Sequence, residues 1–350
     1  ELARHGSVTL ISDSLPEDIP WASTQRASMP DLRALRRFRH VPDELLFARA
    51  ARRALFDVHR RTPIDFVLAH SHAVTHLASR SFREATGVKC GFFVHGDIND
   101  RPEGTYDRRL TAFYRWVAPR GYRAADVVFA LAKPFEEMAK RDGARRVEII
   151  PNGIDPEEIG ITNTLSQAER RQGEELRVLT IARLSIEKGL THLIDAFTQL
   201  PNNITLDILG KGPLEETLHN AIAKHNLESR VRLLGTLPRL ELGATYRAHH
   251  VFCTPALSEP FALVIIEALA SGLPVIGTIV GGIPDVVVDE HNGLLVPPAD
   301  ASALAAAILR LANDEPLRLA LASHARDSVL PRLRWTLIGD RLAAVIRMLA

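Results

Sequence analysis

The stretch VFCTPALSEPFALVIIEALASGLPVIGT, residues 251–278, reads as strand, loop, helix and strand in succession. VFCTPA (251–256) and PVIGT (274–278) are short apolar runs, and the body of the helix between them is almost all Ala, Leu, Val and Ile. A helix apolar all round is a buried one. Continuous apolar strands on either side of it indicate a parallel sheet covered on both faces. Pro260 suits the first turn of that helix. Two carboxylates break the pattern: Glu259 ahead of the helix and Glu267 within it. A buried carboxylate is costly unless it is paired or hydrogen-bonded. Either a partner lies inside the protein, or the face carrying Glu267 opens into a cleft.

The alternation extends along the whole chain. SVTLIS (7–12), DFVLAHS (65–71), CGFFVHG (90–96), DVVFALA (126–132) and VEIIPNG (147–153) form one series. RVLTIAR (177–183), ITLDILG (204–210), VRLLG (231–235), the two runs above and GLLVPP (293–298) form a second. Two such series predict two Rossmann-like, doubly wound α/β domains. A polar stretch without clear period, 151–175, separates them. We expect an N-terminal domain over 1–155, a second over 156–330, and a last helix within 331–350 that crosses back to the first domain. The opening ELARHG reads as a helix end closed by Gly6, so a strand and a loop are expected to precede Glu1, and the first strand of the sheet to be missing.

Composition narrows the function. The chain has 350 residues, 46% hydrophobic and 24% charged, with no apolar run long enough to span a bilayer. Cys90 and Cys253 each sit in an apolar run, as buried small hydrophobes rather than a disulfide or metal pair, which fits the reducing cytoplasm. Net charge is +1, and the arginines come without a base-stacking aromatic motif, so nucleic acid is not an expected partner. Residues 1–155 nevertheless carry 25 Lys+Arg against 20 Asp+Glu, with much of the excess between Arg33 and Arg61. That segment is either a solvated helical surface or a patch for an anionic acceptor or an acidic membrane. His70, His72 and His76 match no zinc spacing, and no G-x-S-x-G or G-x-G-x-x-G occurs.

In open α/β sheets ligands bind beyond the carboxyl ends of strands, and the candidate residues cluster there. Arg183 ends one strand and Lys188 follows before a helix; two cations beside a helix start form an anion site, unless both heads are merely solvated. Gly210 and Gly212 let a ligand or a backbone approach closely. The N–H groups of Phe261, Ala262 and Leu263, after Pro260, are expected in the unbonded first turn, free to meet a phosphate. Glu267 is either within reach of a polyol or a member of a buried ion pair, and Glu259 either faces the cleft or serves the helix dipole. His95 ends a strand in the first domain, with Asp97 two residues on.

ARLSIEKG, LDILGKGP, VRLLG, SEPFALVIIEALASGLPVIGTIVGGIPDVV and NGLLVPP together resemble the GT-B glycosyltransferases, specifically the retaining family 4 (group 1). The spacing from Glu259 to Glu267 matches the E-x7-E signature of that family, and IIPNGID resembles its exit from the first domain. The resemblance implies two lobes facing across a cleft and transfer of a sugar from a UDP- or GDP-type nucleotide-diphosphate donor with retention at the anomeric carbon. It implies no cofactor and no tightly held metal. Arg183 and Lys188 would hold the departing diphosphate, the N–H groups of Phe261, Ala262 and Leu263 the distal phosphate, and Glu267 the ribose hydroxyls, so that its partner is a ligand and not a side chain. Glu259 and His95 would meet the sugar, with Asp97 a further candidate; Gly235 and Thr236 would lie near the base. The acceptor is open between lipid, glycan and small molecule, the location cytoplasmic or at the inner membrane face. Where Ala262 stands the family usually has Gly, and the resemblance leads us to expect its Gly-rich first loop ahead of Glu1. The competing expectation is a non-catalytic relative that binds nucleotide as a scaffold.

Overall fold

The computed structural model describes residues 2–12, 23–26, 40–70, 75–96, 108–161 and 175–350. They form two compact units, one from the residues up to Pro151 together with Thr336–Ala350, the other from Asn152–Trp335.

The first unit contains β1 (Thr9–Ser12), β2 (Ser23–Arg26), α1 (His40–Arg61), β3 (Phe66–His70), α2 (Thr75–Thr86), β4 (Lys89–Val94), α3 (Arg108–Ala124), β5 (Val127–Ala130), α4 (Lys133–Arg141) and β6 (Val147–Ile149). A four-stranded parallel sheet runs β3-β4-β5-β6, and β1 and β2 pair in a separate parallel ribbon. The β5 sequence VVFA is buried at every position, as a strand covered on both faces should be. β2, sequence STQR, has no apolar run and was not expected as a strand; its pairing with β1 makes it one.

The second unit contains β7 (Leu176–Ile181), α5 (Leu190–Phe197), β8 (Ile204–Leu209), α6 (Glu215–Lys224), β9 (Val231–Gly235), α7 (Leu242–Arg247), β10 (Val251–Thr254), α8 (Leu263–Ala270), β11 (Val275–Thr278), α9 (Ile283–Val286), β12 (Gly293–Val296), α10 (Ala301–Asn313), α11 (Glu315–Ala325) and α12 (Leu330–Leu333); α13 (Trp335–Leu349) leads from it into the first unit. Its six strands are all parallel, in the order β12-β11-β10-β7-β8-β9. The order reverses between β7 and β10, a topological switch point whose strand ends are where open α/β sheets bind ligands. One hydrophobic core underlies this sheet, including Val178, Leu193, Phe197, Leu206, Val251, Ile276 and Ile308.

α8 begins three residues later than Pro260 suggested, at Leu263, with Ala262 as its N-cap at φ −78°, ψ 103°. Tertiary bonds hold the preceding loop out of the helix. The N–H groups of Leu257 and Ser258 donate to the Glu187 carbonyl, and Gly282 N–H donates to the Glu259 carbonyl. The residue before a proline also avoids helical dihedrals. Pro260, Phe261 and Ala262 therefore precede the helix instead of opening it.

Candidate active site

Four loops converge at the carboxyl ends of β7, β8, β10 and β11. The first, after β7, carries Arg183, exposed and two residues past the strand, and ends in a 3-10 turn, Ile186–Lys188. The second, after β8, packs directly on it: a Cβ on Gly210, at φ +143°, would lie 1.8 Å from the Ala182 carbonyl oxygen. Leu184 N–H donates to Lys211 O, and Leu214 N–H to Leu184 O. The close approach expected at Gly210 and Gly212 is thus made by backbone, the carbonyls of Ala182 and Leu184. The third loop, after β10, carries Glu259, and the fourth, after β11, closes on it. Gly281, at φ +51°, leaves no room for a side chain, since a Cβ would sit 2.0 Å from the Glu259 carbonyl oxygen.

Within this assembly Lys188 Nζ lies 2.5 Å from Glu259 Oε2. The pair is mostly buried, with side chains 22% and 9% exposed. Glu259 is therefore neither a helix-dipole partner nor a group facing open solvent: its partner is the lysine of the neighbouring loop. An ammonium has three donors, and Glu259 engages one.

Glu267 is 4% exposed in the middle of α8. Its Oε2 accepts a 2.9 Å hydrogen bond from the Tyr246 hydroxyl in α7, and its Oε1 lies 3.7 Å from a guanidinium nitrogen of Arg239. The expectation that its partner would not be a side chain is corrected here. A carboxylate entering a helix this apolar must be met from the protein side, and Tyr246 does so. Burial raises the pKa of Glu267; the Tyr246 hydrogen bond and the Arg239 charge oppose that rise. Neither Tyr246 nor Arg239 was picked out from the sequence, where Tyr246 reads as one more core aromatic.

The remaining expected residues fall as follows. Phe261 and Ala262 are buried ahead of α8 and are not part of its first turn; Leu263 opens that turn and is 39% exposed. The N–H groups of Leu263 and Val264 fall where a helix has no carbonyl of its own to offer. Gly235 ends β9 at φ +70° and accepts from Gly210 N–H, with exposed Thr236 beyond it. In the first unit His95 follows β4. Its Nε2 is 3.1 Å from His70 Nδ1, and its ring stacks on Phe93 at 4.9 Å. Although His70 keeps an exposed edge, packing around its imidazole lowers its pKa to about 4, with a further contribution from His95; burial lowers that of His95 as well. Asp97 and His72 lie outside the described residues. Among the described residues no group of three or more His, Cys, Asp or Glu is placed to hold a metal ion.

Known proteins match this arrangement along the chain. The family model described as Glycosyltransferase Family 4 covers residues 1–158, and that described as Glycosyl transferases group 1 covers 162–328. The amylovoran biosynthesis glycosyltransferase AmsK of Erwinia amylovora is 31% identical over 299 residues, 82% of this chain and 70% of that one. The chain belongs to the family 4, group 1 glycosyltransferases. Its fold is GT-B. Sucrose-phosphate synthase from Thermosynechococcus elongatus superposes with a TM-score of 0.81 at 24% identity, covering 99% of this chain and 90% of that one. Anabaena HepE in complex with UDP-glucose superposes at 0.73 with 22% identity, covering 97% and 99%. In this group 1 glycosyltransferase the four-loop assembly stands at the carboxyl ends of the strands, where open α/β sheets bind ligands.

Proposed function

We propose that this chain moves a hexose from a UDP- or GDP-type nucleotide-diphosphate sugar to an acceptor with retention of the anomeric configuration. The observation that carries the reading is the Lys188–Glu259 pair, 2.5 Å apart on loops that meet at the switch point of the sheet. The ammonium keeps two donors for a diphosphate, and Glu259 places a carboxylate beside it for the sugar hydroxyls. Arg183, on the same loop, adds a second cation. The N–H groups of Leu263 and Val264 add helix-start donors. Glu267 is the acceptor for the ribose hydroxyls. The HepE structure contains UDP-glucose, which supports a donor of that kind.

In the proposed step the bond from C1 to the diphosphate oxygen breaks while a bond from C1 to the acceptor oxygen forms on the same face. The acceptor proton passes to the departing diphosphate oxygen. Lys188, Arg183 and the start of α8 stabilise the charge that builds there, so that no metal is required. Incubation with a panel of UDP- and GDP-sugars, followed by proton NMR of the anomeric signal and repeated with EDTA, tests this. A product of inverted configuration or an EDTA-sensitive rate contradicts the mechanism. Binding without any hydrolysis or transfer would instead support a scaffold.

Among the described residues no helix is long and apolar enough to cross a membrane. We propose that the chain works in the cytoplasm and touches an anionic membrane through α1 and α3. α3 carries five arginines and no acid, and its exposed residues Ala112, Arg115, Trp116, Arg120 and Arg123 share one face. Trp116 is 55% exposed beside them, an interfacial anchor by its chemistry. Equal sedimentation with phosphatidylglycerol and phosphatidylcholine vesicles at low salt would rule this out.

A further inference from the structure

Tyr246 is wholly buried in α7. Its hydroxyl stands 2.9 Å from Glu267 Oε2 and 3.4 Å from the Val264 carbonyl oxygen. A single hydroxyl proton is shared between them, and the shorter, charge-assisted contact takes it. Oε2 is thereby tied inside the protein. Oε1 meets a different neighbour: Arg239, 54% exposed, at 3.7 Å, which is beyond hydrogen-bond length. One carboxylate oxygen is held by a buried donor while the other faces a side chain that reaches solvent.

We propose that Tyr246 is a positioning residue for the donor: by holding Oε2 it fixes the orientation and charge of Glu267 and leaves Oε1 for the nucleoside hydroxyls. This rests on the reading of Glu267 given under the proposed function. Burial works against the ionised carboxylate, and the Tyr246 hydrogen bond is the first effect that opposes it, with Arg239 second. β10, β11, α9 and α11 also pack on α8, but among the described residues the ionisable groups acting on Glu267 are these two. Removing the hydroxyl leaves burial opposed by Arg239 alone. Glu267 then takes up a proton at higher pH and loses its charge-assisted bonds to the ligand.

The test titrates UDP and GDP calorimetrically into the wild type, Tyr246→Phe, Glu267→Gln and the double variant between pH 5.5 and 8, using whichever nucleotide binds the wild type. At pH 7 Tyr246→Phe weakens binding about five- to tenfold, the scale of one net hydrogen bond, as Glu267 is left free to turn away from the ligand. The deficit grows as pH falls and disappears in the Glu267→Gln background. The titration of the nucleotide itself is common to all four proteins and cancels in the ratios. Binding by Tyr246→Phe equal to the wild type at every pH, or an equal loss with and without Glu267, overturns the inference. Wild-type binding by Glu267→Gln overturns the reading of the site instead, and failure of both nucleotides to bind overturns both. Should the phenylalanine variant not fold, 3-fluorotyrosine placed at 246, nearly isosteric with a more acidic hydroxyl, tightens binding at low pH; unchanged or weaker binding there counts against the proposal.

Discussion

Asp207 in β8 and His76 in α2 are both almost wholly buried, 7% and 3% exposed. Their surroundings differ. Asp207 accepts two hydrogen bonds from Arg232 and lies 3.1 Å from His249 Nε2. Burial pushes its pKa up, but those partners outweigh it and hold the carboxyl below its ordinary range. Among the described residues His76 has no hydrogen-bond partner at either ring nitrogen, and burial, with the charge of Arg80, lowers its pKa to about 4. The contrast recurs. In the second unit Lys188 is matched to Glu259 and Glu267 to Tyr246; in the first, His70 and His95 share a stacked cluster with Phe93. Asp207 is kept ionised by its partners, whereas His70, His76 and His95 of the first unit are held toward the neutral form by burial. A chemistry that must bind an anion calls for the former.

The largest effect expected from this contrast is at Lys188. Lys188→Ala lowers turnover about 10²–10³-fold, the scale of losing one group that stabilises developing negative charge. It also leaves Glu259 buried without its cation. Adding Glu259→Gln removes the orphaned charge and recovers thermal stability, but not turnover. Recovery of both would make the pair structural and erase the distinction between the units.

The first unit is sensitive to acid instead. An unfolded histidine takes up a proton near pH 6.5, while His76 in the folded chain does so only near pH 4. Between those values the unfolded chain binds more protons, so stability present above pH 6.5 is lost as pH falls toward 4. By pH 4.5 the loss is about 2–3 kcal/mol. His76→Leu abolishes that share and gains about 1 kcal/mol at pH 7 by removing buried nitrogens that have no partner. Urea titrations of both proteins at pH 7 and 4.5 measure the difference; identical pH dependence would mean that His76 finds a donor or acceptor in solution.

Most of the fold was legible in the sequence, because apolar runs with helices between them dictate strands covered on both faces. SVTLIS, DVVFALA, RVLTIAR and VFCTPA all became strands. STQR did not announce itself, since its strand character comes from its pairing with β1 and not from hydrophobicity. The site was legible by position and less so by contact. Lys188 and Glu259 each stood out at a strand end, yet their pairing spans 71 residues and depends on Gly281 letting two loops close. Tyr246 carried no signal at all: a tyrosine in a short helix reads as core until the carboxylate it meets is known. The His70–His95 contact was within reach of register alone. His70 pairs with Phe93, so His95, two residues on, projects from the same face.

The smallest effect concerns Ala262, where the family usually has glycine. A glycine is needed where φ is positive or a backbone comes too close. Ala262 has φ −78° and ψ 103°, an extended conformation open to any L-residue, and its methyl is buried at the helix start. Nothing in that geometry calls for glycine. Ala262→Gly therefore confers no backbone relief and adds freedom to the unfolded chain, a cost of about 0.5 kcal/mol. Nucleotide affinity stays within about twofold, since the helix-start N–H groups belong to Leu263 and Val264 and do not move. A tenfold gain in UDP or GDP affinity would show that the methyl crowds the phosphate.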